Sequence, residues 1–509
     1  PLRLVGSEMC IRDRCNSFGV VVRQTISYYN LTPCLVNRCS EKCKNCPVCW
    51  QGFGRGLTRY VVISDKNGTV DENQLHIVKN CAIFGSKGFW LNQTEDRRPA
   101  TNCERWKQTM KDLKHLIYFE NLLQEANNEL VQQAKAEGEH ALGYTCYFVP
   151  ETLLNLPGCF SSRLRAPNTG SIDVGTYYMS SKICSYTRSI LERGIEGGYD
   201  YLDALLSSET CQMMHRGHEH FEILGLVKEK NPQFFMSMMD VPFSDEDFAV
   251  DHYEEQLRVH VLEPLHETYG IDISDKAIRA AIRDHNEISR VMTEIGNLRK
   301  AANPVITGYE FHVLQLVSQV CPHKRILPYL KQTLTELKRR KPDAQPWFRV
   351  RLVVTGSEID DPGFTKLVEE AGALVVVDRF CFGSTPGREE IRLDPDLPVL
   401  ESIARHYLTT SQCPRYMQRE KVEGRWRLVR DLCEEYHAQG VLYEQLKFCE
   451  YWGYERALAS HVITHDYGIP SVAVDRQNAT GGNGQLRTRV QAFVESLEIK
   501  QLQAQRGGK

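Results

Sequence analysis

The feature that most constrains the fold is an alternation of short apolar runs with amphipathic segments, which occurs in two separate stretches of the chain. In the first stretch, HALGY, YLDALLSS and FFMSMM are apolar runs of strand length, and helix-like segments lie between them. RLVVTG, ALVVVDRF, VLYEQLKF and SVAVD repeat this arrangement nearer the C-terminus. Strands that alternate with helices of this length indicate parallel sheets built from right-handed crossovers. The sequence therefore predicts an α/β protein with two Rossmann-like (flavodoxin-like) parallel-sheet domains.

Changes in this pattern divide the chain into five segments. Residues 15–105 form a cysteine-rich N-terminal extension with little periodicity, and residues 106–243 hold the first α/β domain with its leading helix. The pattern is wholly helical over residues 244–345, and we interpret this insertion as scaffold, with a cap or a dimer surface as the alternative. Residues 346–509 hold the second α/β domain. Residues 1–14 contain GSEMCIRDR, which resembles a translated sequencing-adapter fragment, and we interpret them as an artefact.

Composition and charge exclude several classes of function. The chain has 509 residues, of which 62 are Lys or Arg and 65 are Asp or Glu, so its net charge is −3. This balance leaves no electrostatic footprint for nucleic acid or for an anionic membrane surface. No apolar stretch has the length of a membrane span and no signal-peptide pattern opens the chain, so we expect a cytoplasmic protein. In that compartment, 18 cysteines favour metal or iron–sulfur chemistry over disulfides.

Three widely separated cysteines form the first candidate site. Cys211 and Cys449 each follow a predicted buried strand, and Cys184 opens a predicted helix, where the helix dipole favours a thiolate. Open α/β sheets bind their ligands outside the carboxyl ends of the strands. Three thiolates that converge there would suit an iron–sulfur cluster with one iron left open.

A denser run of cysteines, CSEKCKNCPVC, forms the second candidate site. Cys39, Cys43, Cys46 and Cys49 have the close spacing of ligands for zinc or for an additional iron–sulfur cluster, and the spacing does not separate these two metals. The first three also match the C-x3-C-x2-C spacing of radical S-adenosylmethionine enzymes. No α/β repeat of barrel length follows them, which argues against that alternative.

Other histidines and cysteines that could bind a metal are interpreted as structural. The spacing within HRGHEH distributes three histidines around a helix, which indicates a solvated helix face rather than a metal site. We also interpret four further cysteines as core residues or as neighbours of the metal ligands. The histidines are His215, His218 and His220, and the cysteines are Cys146, Cys159, Cys381 and Cys413.

Several segments of the chain resemble the 2-hydroxyacyl-CoA dehydratase and benzoyl-CoA reductase family. They occur in the family's order, from about residue 110 to about residue 500, and they are AKAEGEHALGYTCYFVPETL, ICSYTRSILERGIEGGYDYLDALLSSETCQMMHR, RLVVTGSEIDDPGFTKLVEEAGALVVVDRFCFGS, and EQLKFCEYWGYERALASHVITHDYGIPSVAVD with GQLRTRVQAFVESL. The chain looks most like the smaller or β-type subunit of the two-subunit enzymes. It departs from the family in its N-terminal extension and at Gln212, where many members have Asp after the cysteine.

The resemblance implies roles for five residues. Cys184, Cys211 and Cys449 would bind a 4Fe–4S cluster, with one iron left for a substrate oxygen or an exogenous ligand. Glu151 matches a common Pro-Glu of the family and would orient substrate or transfer a proton. Glu450, next to Cys449, is the second catalytic candidate. For both glutamates, the alternative is a charge at a helix N-terminus that the dipole stabilises.

The resemblance also implies an activity and partners. Family members eliminate water from a CoA thioester by a ketyl-radical mechanism, after a separate iron–sulfur activator ATPase has supplied one electron. We therefore expect a lyase with an acyl-CoA substrate, the activator ATPase, and a homologous second subunit or a homodimer as partners. A benzoyl-CoA reductase-type or double-cubane-cluster reductase subunit is the first alternative. An iron–sulfur electron-transfer or scaffold protein is the alternative of another class.

Overall fold

The structure is a computed structural model that describes residues 112–507 apart from 168–170, 385–388 and 479–482, together with four strands nearer the N-terminus. Contacts divide the chain into two units, Pro1–Pro99 and Ala100–Lys509. The four strands of the first unit form a mixed sheet with the order β1-β2-β4-β3. They are Val48–Phe53 (β1), Thr58–Ile63 (β2), Leu75–Val78 (β3) and Cys81–Phe84 (β4).

The first α/β sheet lies in the second unit and contains four parallel strands in the order β6-β5-β7-β8. β7 is buried over its whole length, as expected of a parallel strand that helices cover on both faces. The chain starts in the middle of the sheet, adds β6 on one side and then crosses to the other, so a topological switch point lies between β5 and β7. The strands are His140–Tyr144 (β5), Cys159–Arg163 (β6), Ala204–Ser208 (β7) and Phe235–Met239 (β8).

The second α/β sheet repeats this topology with the order β10-β9-β11-β12, again wholly parallel. Its switch point lies between β9 and β11. The prediction of an α/β fold with two parallel sheets is therefore confirmed, and the division of this unit into separate domains stays a prediction. The strands are Val350–Gly356 (β9), Ala373–Phe380 (β10), Gly440–Leu446 (β11) and Ser471–Arg476 (β12).

Helices connect the strands and cover the sheets. Those of the first half are Leu116–Leu122 (α1), Glu129–Ala136 (α2), Asp173–Met179 (α3), Ser185–Ile195 (α4) and Gln212–Ile223 (α5). The helical region contains Asp247–Leu257 (α6), Glu263–Tyr269 (α7), Asp275–Asn297 (α8), Gly308–Val320 (α9) and His323–Leu337 (α10). The second half contains Pro362–Glu370 (α11), Val399–Thr410 (α12), Arg419–Glu435 (α13), Glu450–His465 (α14) and Asn483–Gly507 (α15). Short non-α segments are Glu151–Asn155, Arg258–Leu262 and Leu298–Lys300.

Helix α9 joins the two sheets. It begins with a capping box, in which Thr307 and Glu310 satisfy each other's backbone N–H groups. The helix is buried on nearly every side and contacts both β6 and β10. A helix that is buried all round lies within a core, and one apolar cluster here includes residues of both sheets. The helical region therefore does more than flank the sheets, because it forms part of the core between them.

Direct bonds also connect the carboxyl ends of the two sheets. The Arg165 Nε donates to the Asp360 carbonyl oxygen at 2.7 Å, and the Ala166 N–H donates to the Asp360 carboxylate at 3.0 Å. All of these groups are buried. The loops that follow β6 and β9 are thus held together. Within the part of the chain that the structure describes, no helix combines the length and the apolarity that crossing a membrane requires.

Candidate functional site

Each of the three cysteines of the first candidate site immediately precedes a helix. Cys211 follows β7 and caps α5, Cys449 follows β11 and caps α14, and Cys184 caps α4. At each position, burial raises the pKa of the thiol, and backbone N–H groups of the first helical turn partly offset this rise. The three sulfurs therefore share one local environment, the positive end of a helix, although they lie far apart in sequence.

The three thiols also influence one another. Burial raises the pKa of Cys449 well above its usual value, and negative charge on Cys184 and Cys211 raises it further. Burial, followed by the charge of Cys184, raises the pKa of Cys211 to about 12. Cys184 is only 7% exposed, and burial raises the pKa of its thiol as well. At neutral pH these groups are thiols, and only a cationic group between them would stabilise three thiolates together.

The donor chemistry suits an iron–sulfur cluster. Sulfur ligands at three helix N-termini supply what such a cluster requires, namely thiolates with N–H groups directed at them. Among the residues that the structure describes, no three or more His, Cys, Asp or Glu side chains form a ready-made metal site. The fit therefore rests on the type of donor and on the mutual electrostatic influence of the thiols.

Three further cysteines adjoin this group, and the sequence pattern favours a place for them in the core or beside the ligands. Burial is the main cause that raises the pKa of Cys211, Cys413 and Cys381. Charge on Cys146 adds to the rise for Cys211 and Cys413, and charge on Glu358, Cys413 and Cys449 adds to that for Cys381. The Trp452 indole N–H donates to the Cys381 sulfur at 3.4 Å. Cys146 and Cys381 lie within two residues of the end of a strand, and Cys211 lies three residues after one, so the same sequence signal could have grouped them. Cys159, in contrast, lies in β6 within an apolar cluster.

Glu358 is a functional candidate that the sequence reasoning missed. It lies just after β9, and its carboxylate forms an ion pair with the buried Arg163, at 3.5 Å from Nη2. The Arg163 guanidinium lies 3.9 Å from the centre of the Phe382 ring and donates to Gln319 at 3.1 Å. Burial, partly offset by Arg163, raises the pKa of Glu358 to about 7. Charge on Glu358 in turn raises the pKa of Cys184, so this carboxyl group lies near the cysteines.

Glu151 begins the short helix that follows β5, at the first switch point. One of its carboxylate oxygens accepts from the Tyr144 hydroxyl at 3.1 Å, and the other lies 3.1 Å from His285 Nδ1. The His323 Nε2 lies 3.8 Å from the first oxygen. Burial alone would raise the pKa of Glu151, but His323, His285 and Tyr144 together hold it at about 2. Glu151 is therefore a half-buried carboxylate that is ionised at neutral pH.

The structure places Glu450 differently. It is the first residue of α14 and its side chain is exposed. Glu444, near the end of the preceding strand, is a buried carboxylate: it accepts from the Ser357 N–H and hydroxyl groups, both at 2.9 Å, and pairs with Arg476. Charge on Glu444 raises the pKa of Cys449. A catalytic role for Glu450 stays a prediction.

The prediction of a solvated histidine face on α5 is wrong for two of its three residues. His218 and His220 are 2% and 7% exposed, and only His215 reaches solvent, where it pairs with Glu209. The reason is tertiary: α5 packs against α4, and Gly217 allows this close approach, since a Cβ there would lie 2.8 Å from a Thr187 methyl group.

The second candidate metal site lies outside the described residues. Cys39, Cys43 and Cys46 precede the first described strand, and Cys49 lies in β1 without a described side chain. The prediction of zinc or an additional iron–sulfur cluster there stays a prediction.

Together, the fold and the site define an α/β protein with two parallel sheets whose switch points are lined by cysteines and by carboxyl groups with little exposure. A family model described as "2-hydroxyglutaryl-CoA dehydratase, D-component" matches residues 146–497, and the chain belongs to this family. The resemblance seen in the sequence is confirmed.

Curated relatives agree with this family. The chain is 22% identical over 380 residues to the (R)-phenyllactyl-CoA dehydratase beta subunit of Clostridium sporogenes, covering 74% of this chain and 97% of the relative. It is 22% identical over 362 residues to a subunit of the benzoyl-CoA reductase of Thauera aromatica, covering 70% and 91%. It is 23% identical over 370 residues to the lactoyl-CoA dehydratase subunit beta of Anaerotignum propionicum, covering 71% and 93%. Dehydratases are lyases, and a reductase also belongs to this group of relatives.

Proposed function

We propose that this chain is the iron–sulfur subunit of a 2-hydroxyacyl-CoA dehydratase, a cytoplasmic lyase that eliminates water from a CoA thioester by a ketyl-radical mechanism after one-electron, ATP-driven activation. The observation that carries the proposal is the set of three thiols at three helix N-termini, of which Cys184 is buried and Cys211 and Cys449 are half-buried. The charge of Cys184 acts on the pKa of the other two thiols, and the charge of Cys211 acts on that of Cys449. The family and the names of the relatives supply the reaction class.

In this proposal, Cys184, Cys211 and Cys449 hold a 4Fe–4S cluster. When bound, such a cluster supplies one-electron chemistry at low potential and an open iron for a substrate oxygen. The protein contributes the helix N–H groups that stabilise the thiolates. The buried Trp452, which follows Cys449 in α14 and bonds to Cys381, limits the access of water to this side of the site.

Two carboxyl groups are suited to move the protons that an elimination requires. Glu151 is ionised, since its pKa is about 2, and can accept a proton. Glu358 has a pKa of about 7 and can donate one. Two carboxyl groups whose environments displace their pKa values in opposite directions are a recognised pattern for general base and general acid. We propose Glu151 as the base, and we keep Glu450 as a candidate for contact with substrate at the N-terminus of α14.

The partners follow from the names of the relatives. All three are named as subunits of larger enzymes, and two of these are beta subunits, which supports a second, homologous subunit for this chain. We propose an acyl-CoA substrate and an iron–sulfur activator ATPase as the further partners. We also propose that Cys39, Cys43, Cys46 and Cys49 bind zinc or an additional iron–sulfur cluster.

A reductase with a double-cubane cluster is the second candidate, and one observation favours it. Cys146, Cys381 and Cys413 add three sulfurs next to the first three, so six cysteines contribute to one electrostatic neighbourhood. A larger cluster would use that many ligands.

Iron and sulfide counting tests the proposal. The chain is purified without oxygen as the wild type and as C184A, C211A and C449A, with C433A as the control, because Cys433 is a buried cysteine of α13 in a separate apolar cluster. We expect about four irons per chain beyond any N-terminal metal, lost in the three variants and kept in C433A. About eight irons would favour the double-cubane reductase. Full iron retention in C449A would contradict the assignment.

A further inference from the structure

A buried carboxylate–imidazole cluster connects the first sheet to the helical region. Glu151 comes from the segment after β5, His285 from the middle of α8, and His323 is the first residue of α10. The His285 Nδ1 and Glu151 Oε1 atoms are 3.1 Å apart, and the His323 Nε2 and Glu151 Oε2 atoms are 3.8 Å apart. Three elements that are distant in sequence thus bring two imidazoles to one carboxylate.

Burial of the two imidazoles costs free energy of desolvation, which their packing alone does not explain. His285 and His323 are each 4% exposed. Removing two imidazoles from water around a half-buried, ionised carboxylate is unfavourable, and packing alone would be served better by apolar side chains. The Tyr144 hydroxyl and His285 supply only two polar side-chain partners to Glu151 within hydrogen-bond distance among the described residues. The Nε2 atom of His323 has no hydrogen-bond partner in that part of the chain.

The cluster extends towards the cysteines through charged and aromatic groups. Tyr144, which donates to Glu151, has its ring 5.9 Å from the Arg163 guanidinium carbon. Arg163 pairs with Glu358, whose charge reaches Cys184. A chain of buried polar side chains therefore connects the helical region to the cysteine site.

We infer that His285 and His323 are positioning residues that hold the Glu151 carboxylate ionised and in a fixed orientation, which makes α8 and α10 part of the active site. This inference rests on the proposed function, in which Glu151 is the base. His285 fixes one carboxylate oxygen by a hydrogen bond. His323 lies 3.8 Å from the other oxygen, which also accepts from the Tyr144 hydroxyl, and it stabilises the negative charge there. The carboxylate keeps further lone pairs, and one of them accepts a proton from a substrate C–H bond, with the electron pair of that bond left on the substrate.

The titratable groups that face the cluster determine its pH response. Burial lowers the pKa of His323, and Glu151 and Asp284 partly restore it while His285 lowers it further. Removing the negative charge of Glu151 therefore lowers the pKa of His323 again. The titratable groups whose charges or hydrogen bonds act on Glu151 are Tyr144, Tyr147, His285, His323 and Tyr407.

His312 offers a matched control. It is a histidine of α9 with similar burial, at 3% exposed, and its ring bonds to the Thr365 hydroxyl at 2.8 Å and to the Ile359 carbonyl at 3.1 Å. It lies in the same helical region as the cluster, but both of its ring nitrogens are engaged by these other partners. Substituting it tests the general cost of losing a buried imidazole there.

The first experiment needs no turnover. The full chain, labelled with ¹³C at histidine Cε1, is titrated by NMR as the wild type and as E151Q, with H323Q and H312Q used to assign the two signals. We expect the pKa of His323 to fall in E151Q and that of His312 to stay unchanged. An unchanged His323 titration in E151Q would overturn the inference, whatever the enzyme does.

The second experiment separates positioning from catalysis. The complex with its activator is assayed with (R)-phenyllactyl-CoA and lactoyl-CoA as probes. We expect H285Q, H323Q and Y144F to lower kcat by about 10²-fold or more, with KM and iron content unchanged. H312Q should leave kcat, KM and iron content unchanged. The acid limb of the kcat profile should move to higher pH in H323Q. If E151Q shifts the His323 titration but leaves kcat unchanged, the proposed base is wrong, whereas the contact between His323 and Glu151 stands. Equal losses of kcat in H312Q and H323Q would overturn the inference.

Discussion

The sharpest structural prediction concerns Gly175, where two helices approach each other next to Cys184. Gly175 lies in α3, and a Cβ added there would press against the carbonyl oxygen of Arg188 and lie 3.1 Å from its carbonyl carbon. Both are backbone atoms of α4, so neither can rotate away. The Gly175 N–H also donates to the buried Glu192 carboxylate at 2.7 Å, which holds α3 in place from a second direction.

The Gly175→Ala variant should therefore separate α3 from α4. Overpacking of this kind costs about 1–3 kcal/mol, and the better helix propensity of alanine offsets about 0.5–1 kcal/mol of it. The Arg188 N–H donates to the Cys184 carbonyl oxygen at 3.3 Å, so a shift of Arg188 displaces the helical turn that begins at Cys184. We expect both a lower free energy of unfolding and a loss of iron.

Gly424→Ala is the matched control. Gly424 lies within α13, and the nearest atom to an added Cβ is the flexible Arg427 Nη2 at 3.9 Å. Without a steric cost, this change should stabilise the chain by up to about 1 kcal/mol. Urea unfolding and iron per chain are measured for both variants. Equal stability and equal iron content in G175A and G424A would refute the argument that this backbone contact positions Cys184.

Two further predictions concern buried charges. In Arg425→Ala, the Glu455 carboxylate of α14 loses the two guanidinium hydrogen bonds, at 3.1 and 2.9 Å, that neutralise its charge. We expect the free energy of unfolding in urea to fall by about 3–5 kcal/mol and the double variant R425A/E455A to recover part of it. A fall below about 1 kcal/mol would contradict this prediction. Glu358→Gln tests the raised pKa of Glu358, whose shift from 4.5 to about 7 corresponds to about 3 kcal/mol. Because folding favours the neutral carboxyl, the wild type has this stability below pH 4.5 and loses it as the pH rises through about 7, whereas the variant should not. Parallel pH profiles of unfolding for the two proteins would show that Glu358 does not titrate this way.

The sequence predicted the parts of the fold that depend on local pattern. Both sheets were expected because apolar runs of strand length alternate with helical segments, and the positions of Cys211 and Cys449 after strands follow from the same pattern. What the pattern could not supply was contact between distant segments. Glu151 and His285 are separated by 134 positions, so the sequence around one residue does not indicate that it contacts the other. The prediction for the histidines of α5 was wrong for the same reason, because burial by a neighbouring helix overrides helical periodicity.

Glu358 shows a second limit of sequence reasoning. Within TGSEIDD it looks like an ordinary turn residue, because acidic side chains are common in solvated turns. Its unusual chemistry arises only when β6 of the first sheet places Arg163 beside it. The environment of a carboxyl group after a strand of one sheet is therefore set in part by a side chain of the other sheet.

The repeated strand order explains why the site needs both sheets. In each sheet the chain begins at a central strand and later crosses over, so the loops after β5 and β7 and the loops after β9 and β11 flank equivalent switch points. Neither sheet alone supplies more than part of the cysteine group: Cys184 and Cys211 come from the first half, and Cys449 comes from the second. Bonds such as Arg165 to Asp360 connect the loop after β6 to the loop after β9 and so hold the carboxyl ends of the two sheets together. Under the proposed function, in which the three cysteines bind a cluster, a substitution that weakens this connection should reduce the iron content per chain even though it removes no ligand.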